Sequence, residues 1–312
     1  MKKLAYAQMT ASMLLIGSMF VVSKIIVAYI PVMTASFFRQ FLACLVLIAV
    51  LMWRNSHHRQ GEKVVCPPIN TRDRWILFIQ IFCGIFLFSL LILWGVQRTN
   101  AIDASIITSA TPLSMMLFGV VFLSERMTWL RGVALLCALA GALVMNVFGA
   151  SGVSSAANSA SNLSNVWLGN LLIAGAVLFE GVFFGAQKLL SRPLPSIWLM
   201  VILTAGASVL FTPFALYDAL TFDFSHVPLY VWGLVVYTGV GVTALGVLLM
   251  HAGIKQVSNS SASVFTALMP VSGVVLSVLL LNEAFRWYHL LGMVLVMVGM
   301  GLIVGEKEIN GV

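Results

Sequence analysis

Residues 94–141 read WGVQRTNAIDASIITSATPLSMMLFGVVFLSERMTWLRGVALLCALAG. Residues 252–299, displaced by 158 positions, read AGIKQVSNSSASVFTALMPVSGVVLSVLLLNEAFRWYHLLGMVLVMVG. Gly95 meets Gly253, Ala104-Ser105 meets Ala262-Ser263, and Thr108, Pro112 and Ser114 meet Thr266, Pro270 and Ser272. Glu125, Trp129 and Gly141 meet Glu283, Trp287 and Gly299. Apolar matches are cheap in so apolar a chain, so the weight rests on Pro, Glu, Trp and Gly holding one spacing. Each copy reads as an apolar helix with a proline in its middle, a turn holding one glutamate, and a second apolar helix. A repeat of this length marks a duplicated structural unit.

The composition names the solvent. Of 312 residues 61% are hydrophobic and 9% charged, against about 25% charged in an ordinary soluble domain. Mean hydropathy is +1.04. No water-soluble packing hides that much apolar surface, so the chain reads as an all-α integral membrane protein. Apolar runs long enough to cross about 30 Å of hydrocarbon fall near 4–23, 32–53, 75–96, 101–123, 127–148, 166–187, 196–216, 229–251, 260–281 and 286–305. Ten transmembrane helices are therefore expected. The first run follows Lys2-Lys3 but precedes no small-residue cleavage site, and it reads as a retained span. Cys44, Cys66, Cys83 and Cys137 show no metal-ligand spacing and read as reduced and structural.

The segment 149–165, GASGVSSAANSASNLSN, is the one low-complexity stretch, too poor in apolar residues to build a core. It reads as a flexible linker between a first five-helix repeat at 1–148 and a second at 166–312. The fronts of the halves match more faintly at an offset of 164: Gly17, Phe20, Lys24 and Pro31 meet Gly181, Phe184, Lys188 and Pro195. Five is odd, so the halves enter the membrane from opposite sides. Two inverted five-helix repeats are the architecture that exposes one site alternately to two compartments.

Orientation follows from the basic residues. With a cytoplasmic N-terminus, all 17 Lys and Arg except Lys24, Arg98, Arg286 and the intramembrane Arg39 face inward, as the positive-inside rule requires. Both termini are expected in the cytoplasm, in a multi-pass cell membrane such as the bacterial inner membrane. The net charge of +7 has this topological cause and implies no nucleic-acid partner.

No Walker loop, HExxH, GxSxG or strand-borne GxGxxG occurs. No catalytic residue, cofactor or metal site is expected, and the paired His57-His58 reads as solvated. Charges inside the spans carry more information, because each costs at least about 2.5–3.5 kcal/mol at the bilayer centre. Arg39 lies about 10 Å into the second span, Glu180 about 20 Å into the sixth, and Asp103 at the outer mouth of the fourth. The long arginine side chain is placed to reach either acid. Arg39 and Glu180 either line a wet cavity, binding substrate or a coupling proton, or form a buried pair that fixes packing. Trp94 and Tyr237 are candidates to stack on a substrate; for Trp94 an interfacial aromatic belt is the rival reading. Lys24, Lys188 and His251 fall at helix ends, where snorkelling is the ordinary role. Glu125 and Glu283 read as caps of the helices that follow them. Pro112 and Pro270 each strip the hydrogen bond from a carbonyl four residues earlier, that of Thr108 and Thr266, and so kink or hinge their helices. Gly181-xxx-Gly185 and Gly301-xxx-Gly305 permit close helix contacts.

AGIKQVSNSSASVFTALMPVSGVVLSVLLLNEAFRWYHLLGMVLVMVGMGLIV at 252–304 and ASFFRQFLA at 35–43 together resemble the ten-span, EamA-type members of the drug/metabolite transporter superfamily. The resemblance covers nearly the whole chain. It implies two inverted five-helix repeats around a central cavity and secondary transport, often efflux of amino acids or related metabolites. It carries over one site residue, Arg39; Glu180 rests on burial cost alone. The expected partners are a small-molecule substrate, the lipid bilayer and a coupling proton. The alternatives are a membrane enzyme acting on a lipid-linked substrate, which calls for His, Asp or Glu clustered at one interface, and a non-transporting membrane sensor.

Overall fold

A computed structural model describes residues 2–57, 66–124, 128–153, 160–187, 189–191, 194–254 and 268–309, and every regular element among these residues is a helix. In chain order they are α1 (Lys2–Ile26), α2 (Val32–His57), α3 (Thr71–Val96), α4 (Ala101–Thr108), α5 (Thr111–Phe122), α6 (Trp129–Val153), α7 (Ala160–Gln187) and α8 (Ser196–Thr221). After a short 3₁₀ turn at Phe224–His226 comes α9, built of Leu229–Val236, Tyr237–Gly246 and Val247–Ile254. It is followed by α10 (Leu268–Leu281) and α11 (Trp287–Ile309). Helix is the element that satisfies its own backbone where no water is present.

Six of these helices are long and apolar enough to cross a membrane, and the bent pair α4–α5 makes up to seven. The apolar stretches Trp129–Gly141, Leu268–Leu281 and Trp287–Gly299 are shorter. Large side chains such as Leu220 (88% exposed), Leu229 (86%) and Trp129 (85%) point away from the protein, an arrangement that water penalises and lipid does not. The chain is a multi-pass membrane protein.

The expected kink at Pro112 is a break. α4 stops at Thr108 and α5 starts at Thr111 with its axis turned by 41°, and Pro112 lies in the first turn of α5, where its missing N–H costs nothing. Pro270 lies within α10, which is described from Leu268, and Thr266 falls outside the described residues. Of the segment 149–165, residues 154–159 lie outside the described residues. On either side helix is described as far as Val153 in α6 and from Ala160 in α7, since Ala continues a helix freely and Ser or Asn at under about 0.7 kcal/mol each.

The two copies pack alike. Gly17 of α1 abuts Ser272 of α10, and Gly181 of α7 abuts Ser114 of α5. Gly239 of α9 abuts Leu42 of α2, and Gly206 of α8 abuts Ile81 of α3. Gly141 of α6 meets Gly292 of α11, while Gly299 of α11 meets Ala134 of α6. Each contact carries over to its companion when the offsets of 158 and 164 are applied. Small residues at such crossings let helices approach closely where lipid offers no hydrophobic drive to associate. Two features absent from sequence reasoning obey the same spacing. α3 and α9 both widen to π-helix, over Gln80–Leu87 and Tyr237–Gly246. Ser124 and Asn282, which end α5 and α10, both adopt positive φ, 57° and 53°.

α4 is the most enclosed element: every residue from Ala101 to Thr108 is buried. The main core gathers around it, with Ile92, Ile102, Ile106, Ile173 and Phe211 exposed by 0%. Asp103 lies in its first turn, at the end of the helix, and is likewise 0% exposed.

Candidate functional site

α2 presents one polar face to the interior. Ser36, Arg39 and Gln40 are 0%, 7% and 4% exposed and lie within an arc of about 100° at about 100° per residue. Arg39 Nη2 donates to Ser89 Oγ of α3 at 2.5 Å, and Nη1 contacts Met19 Sδ of α1 at 3.5 Å. Arg39 Nε, Ser36 Oγ and Gln40 Oε1 find no hydrogen-bonding partner among the described residues. No carboxylate pairs with Arg39 among the described residues, so the expected reach to Asp103 or Glu180 is not made. A buried guanidinium held by a hydroxyl and a thioether is a cation without its anion, which burial penalises heavily. Tyr237 stands close by: its hydroxyl bonds Ser18 Oγ at 2.8 Å, and Ser18 precedes Met19 on α1.

Glu180 of α7 is half-buried and bonded to Thr111 Oγ1 at the start of α5. Thr111 Oγ1 also lies 2.7 Å from the carbonyl oxygen of Thr108, the acceptor that Pro112 leaves without a helical donor. One hydroxyl proton serves two acceptors there. The break in α4–α5 is thus wired to the carboxyl of Glu180.

A third group of polar side chains surrounds Asp103. His289 Nε2 of α11 lies 3.3 Å from Asp103 Oδ1, and both side chains are 1% exposed. His289 Nδ1 accepts the backbone N–H of Arg286 at 3.0 Å. Thr99 Oγ1 lies 3.3 Å from Asp103 Oδ2 and 2.5 Å from Asn170 Oδ1 of α7. At the start of α4, Glu283 accepts the backbone N–H groups of Ala101 and Ile102 at 2.9 and 3.0 Å. Lys24 of α1 pairs with Glu283 at 2.7 Å and donates to the Thr99 carbonyl at 2.8 Å. Two expectations are corrected. Glu283 caps α4 rather than α11, because the positive φ of Asn282 turns the chain back so that Glu283 N–H meets Ser277 O. Lys24 is held by an acid instead of snorkelling free.

Compared with known proteins, residues 3–147 and 167–305 match the EamA-like transporter family. The chain belongs to the EamA-like transporter family. It is 32% identical over 304 residues, 97% of its length and 88% of the relative's, to the "Uncharacterized transporter YetK" of Bacillus subtilis. It is 25% identical over 234 residues to the "Probable terminal-alkyne amino-acid exporter" of Streptantibioticus cattleyicolor, covering 75% of this chain and 74% of that one. A crystal structure shares the fold with TM-score 0.62 and 18% identity over 97% of both chains.

Within this EamA frame, Arg39, Glu180 and Asp103, expected within reach of one another, occupy three places. Arg39 and Tyr237 converge on α1, Glu180 joins Thr111 and Thr108, and Asp103 joins His289. Trp94 packs half-buried against the main core, and its carbonyl accepts Arg98 Nη1 at 2.9 Å. Glu125 and Lys188 lie outside the described residues. Sequence reasoning missed His289, Asn170, Ser89 and Thr111. His289 stood in the first turn of a helix, where histidine ordinarily reads as interfacial; the packing of α11 on α4 turns it inward. Ser36 and Gln40 carried a signal, since they flank Arg39 at helical spacing. The acids Asp73 and Asp218 are occupied structurally, by Ser191 N and Oγ and by Thr34 N and Oγ1.

Proposed function

We propose that this EamA-family protein is a ten-span secondary transporter of two inverted five-helix halves, exporting a small carboxylate-bearing metabolite of the amino-acid class by alternating access. The observation that carries this reading is Arg39, buried with no anion beside it and Nε unpartnered among the described residues. A substrate carboxylate supplies the missing charge, bidentate on the guanidinium fork. Ser36 Oγ adds a donor, and Gln40 Oε1 an acceptor for an ammonium group. The buried cation is tolerated because it pairs in every transport cycle. The matched packing of Gly17 on Ser272 and Gly181 on Ser114 supports the inverted halves, with the bent pair α4–α5 as one span and α10 as part of another. The basic residues support cytoplasmic termini in the cell membrane. The reported relatives carry transporter or exporter names, and one names an amino acid, which supports the substrate class and the outward direction. Glu180, wired to the helix break through Thr111, is the residue assigned to the coupling proton.

The test is counterflow in proteoliposomes with labelled amino acids spanning apolar, polar and aromatic side chains. Exchange that needs the free carboxylate, and stops in Arg39→Gln, is the expected result. Exchange of amino-acid amides as fast as of the acids removes the reading.

A further inference from the structure

α10 is clamped at one level and fastened at another. At Ser272-Gly273 it lies against Gly17 of α1 and Ser105 of α4. A Cβ on Gly273 would stand 2.8 Å from Ser105 Cβ and 3.2 Å from the Gly17 carbonyl oxygen. Contacts that close hold the helix axes together at this level. Lys24 and Glu283 meet farther along the same two helices, in a 2.7 Å ion pair. By helical rise the pair lies about 10 Å beyond Gly17 on α1 and about 15 Å beyond Gly273 on α10.

The partners come from different repeats, Lys24 from the first and Glu283 from the second. Lys24 also donates to the Thr99 carbonyl, and Gln97 Nε2 donates to the Val27 carbonyl at 3.2 Å. The end of α1 is thereby tied to the α3–α4 turn of its own half. Glu283 closes on that unit from the other half, holding Lys24 and the N–H groups of Ala101 and Ile102 with one carboxylate. Asp218 crosses between the halves at the same face, but it holds Thr34 of α2. Met19, whose Sδ meets Arg39, precedes Lys24 on α1 by about 8 Å of helical rise, so the pair lies between Arg39 and the face bearing the α1–α2 turn. Exposures of 28% and 10% let water take over both charges when the pair parts, which full burial would forbid. The turn that aims Glu283 recurs in the first half, where Ser124 has the positive φ of Asn282. The sequence repeats both charges, as Lys188 and Glu125, at offsets of 164 and 158.

We propose that Lys24 and Glu283 form a latch that closes the Arg39 site at the face bearing the α1–α2 turn, and that the latch opens when α10 tilts about its crossing with Gly17. The proposal rests on the reading of Arg39 as the substrate site. In the topology proposed above this is the outer face, where an exporter releases its cargo. A tilt of about 20° on arms of about 10–15 Å carries Glu283 about 3–5 Å away from Lys24, beyond the reach of an ion pair. Lys24, Ala101 and Ile102 lose the same carboxylate together, so α1 and α4 are released in one step.

Distances between two spin labels test the latch without substrate and without transport. The labels sit on Ala28→Cys and Ala284→Cys, both exposed positions, in the full chain with its four native cysteines changed to serine and held in lipid nanodiscs. With Lys24 in place, one short distance is expected to dominate. Lys24→Met leaves the cap of α4 intact and is expected to add a second population about 3–5 Å longer. Lys24→Arg, which can still pair with Glu283, is expected to restore the short distance. An unchanged distribution in Lys24→Met, or a uniform broadening with no longer population, overturns the latch. The counterflow assay keeps the two readings apart: a distance that responds to Lys24→Met in a protein that exchanges no amino acid supports the latch and removes the transport reading.

Discussion

Lys24 and Glu283, 259 positions apart, form a 2.7 Å ion pair that ties α1 to the turn after α10. Glu283 simultaneously caps α4, so three helices end in one carboxylate. The pair is 28% and 10% exposed, far enough from water that its loss is felt. Glu283→Ala forfeits the ion pair and two capping bonds, an expected loss of about 2–4 kcal/mol. Glu283→Gln keeps one of the two capping bonds through its amide oxygen and is expected to lose less. In thermal denaturation, Lys24→Met combined with Glu283→Gln is expected to cost less than the sum of the two singles. Strict additivity would show that the contact carries no energy.

Arg39 predicts a stability that moves opposite to function. Its guanidinium is buried with a hydroxyl and a thioether for company, so removing the charge relieves a desolvation cost. The position matched to Arg39 in the second half is Leu203, fully buried. Arg39→Leu is therefore expected to hold or raise Tm by about 2–4 °C while abolishing substrate binding. Arg39→Lys, which keeps the charge but loses the fork, is expected to weaken binding about 10- to 100-fold. Calorimetry and thermal melts on the same preparations check both halves; a variant that melts early and still binds reverses the assignment.

At the Thr111 hydroxyl, protonation and helix geometry meet. When Glu180 is ionised, Thr111 donates to it and the Thr108 carbonyl loses its donor; when Glu180 is protonated, the acid donates to Thr111 and Thr111 donates to Thr108. Glu180→Gln can donate as the acid does but cannot titrate. It is expected to retain substrate counterflow while losing the response of transport to an imposed pH gradient. Thr111→Val breaks the wire at both ends and is expected to slow gradient-driven flux about tenfold, the worth of roughly one hydrogen bond. Full gradient-driven flux in Thr111→Val would separate Glu180 from the helix break.

Packing was legible in the sequence and polar wiring was not, for one physical reason. Duplicated helices reuse the same close contacts, so Gly17 and Gly181, Ser114 and Ser272, or Pro112 and Pro270 announce themselves by spacing. Three of the ionisable residues at these sites break the repeat: Arg39 is matched by Leu203, Glu180 by Ile16 and His289 by Arg131. Burial cost still flagged Arg39 and Glu180. Their partners could not be read, because Thr111 lies 69 positions from Glu180 and Ala101 lies 182 from Glu283. The π-helical stretches in α3 and α9 left no compositional mark in their apolar runs.

The matched crossings make the last prediction, which concerns fold alone. A Cβ on Gly17 would stand 1.9 Å from Ser272 Oγ and 2.4 Å from Met269 O; on Gly181 it would stand 2.6 Å from Ser114 Oγ and 2.7 Å from the Ser114 backbone. The serine hydroxyls can rotate, but the backbone atoms cannot move without shifting α10 or α5. Gly17→Val and Gly181→Val are each expected to cost about 1–3 kcal/mol through overpacking. Gly132 has no neighbour within 4 Å of such a Cβ, so Gly132→Ala is expected to be neutral or slightly stabilising through helix propensity. Thermal melts of the three variants check the ranking. A large loss at Gly17 with none at Gly181 would mean that the two crossings, equivalent in spacing, are unequal in energy.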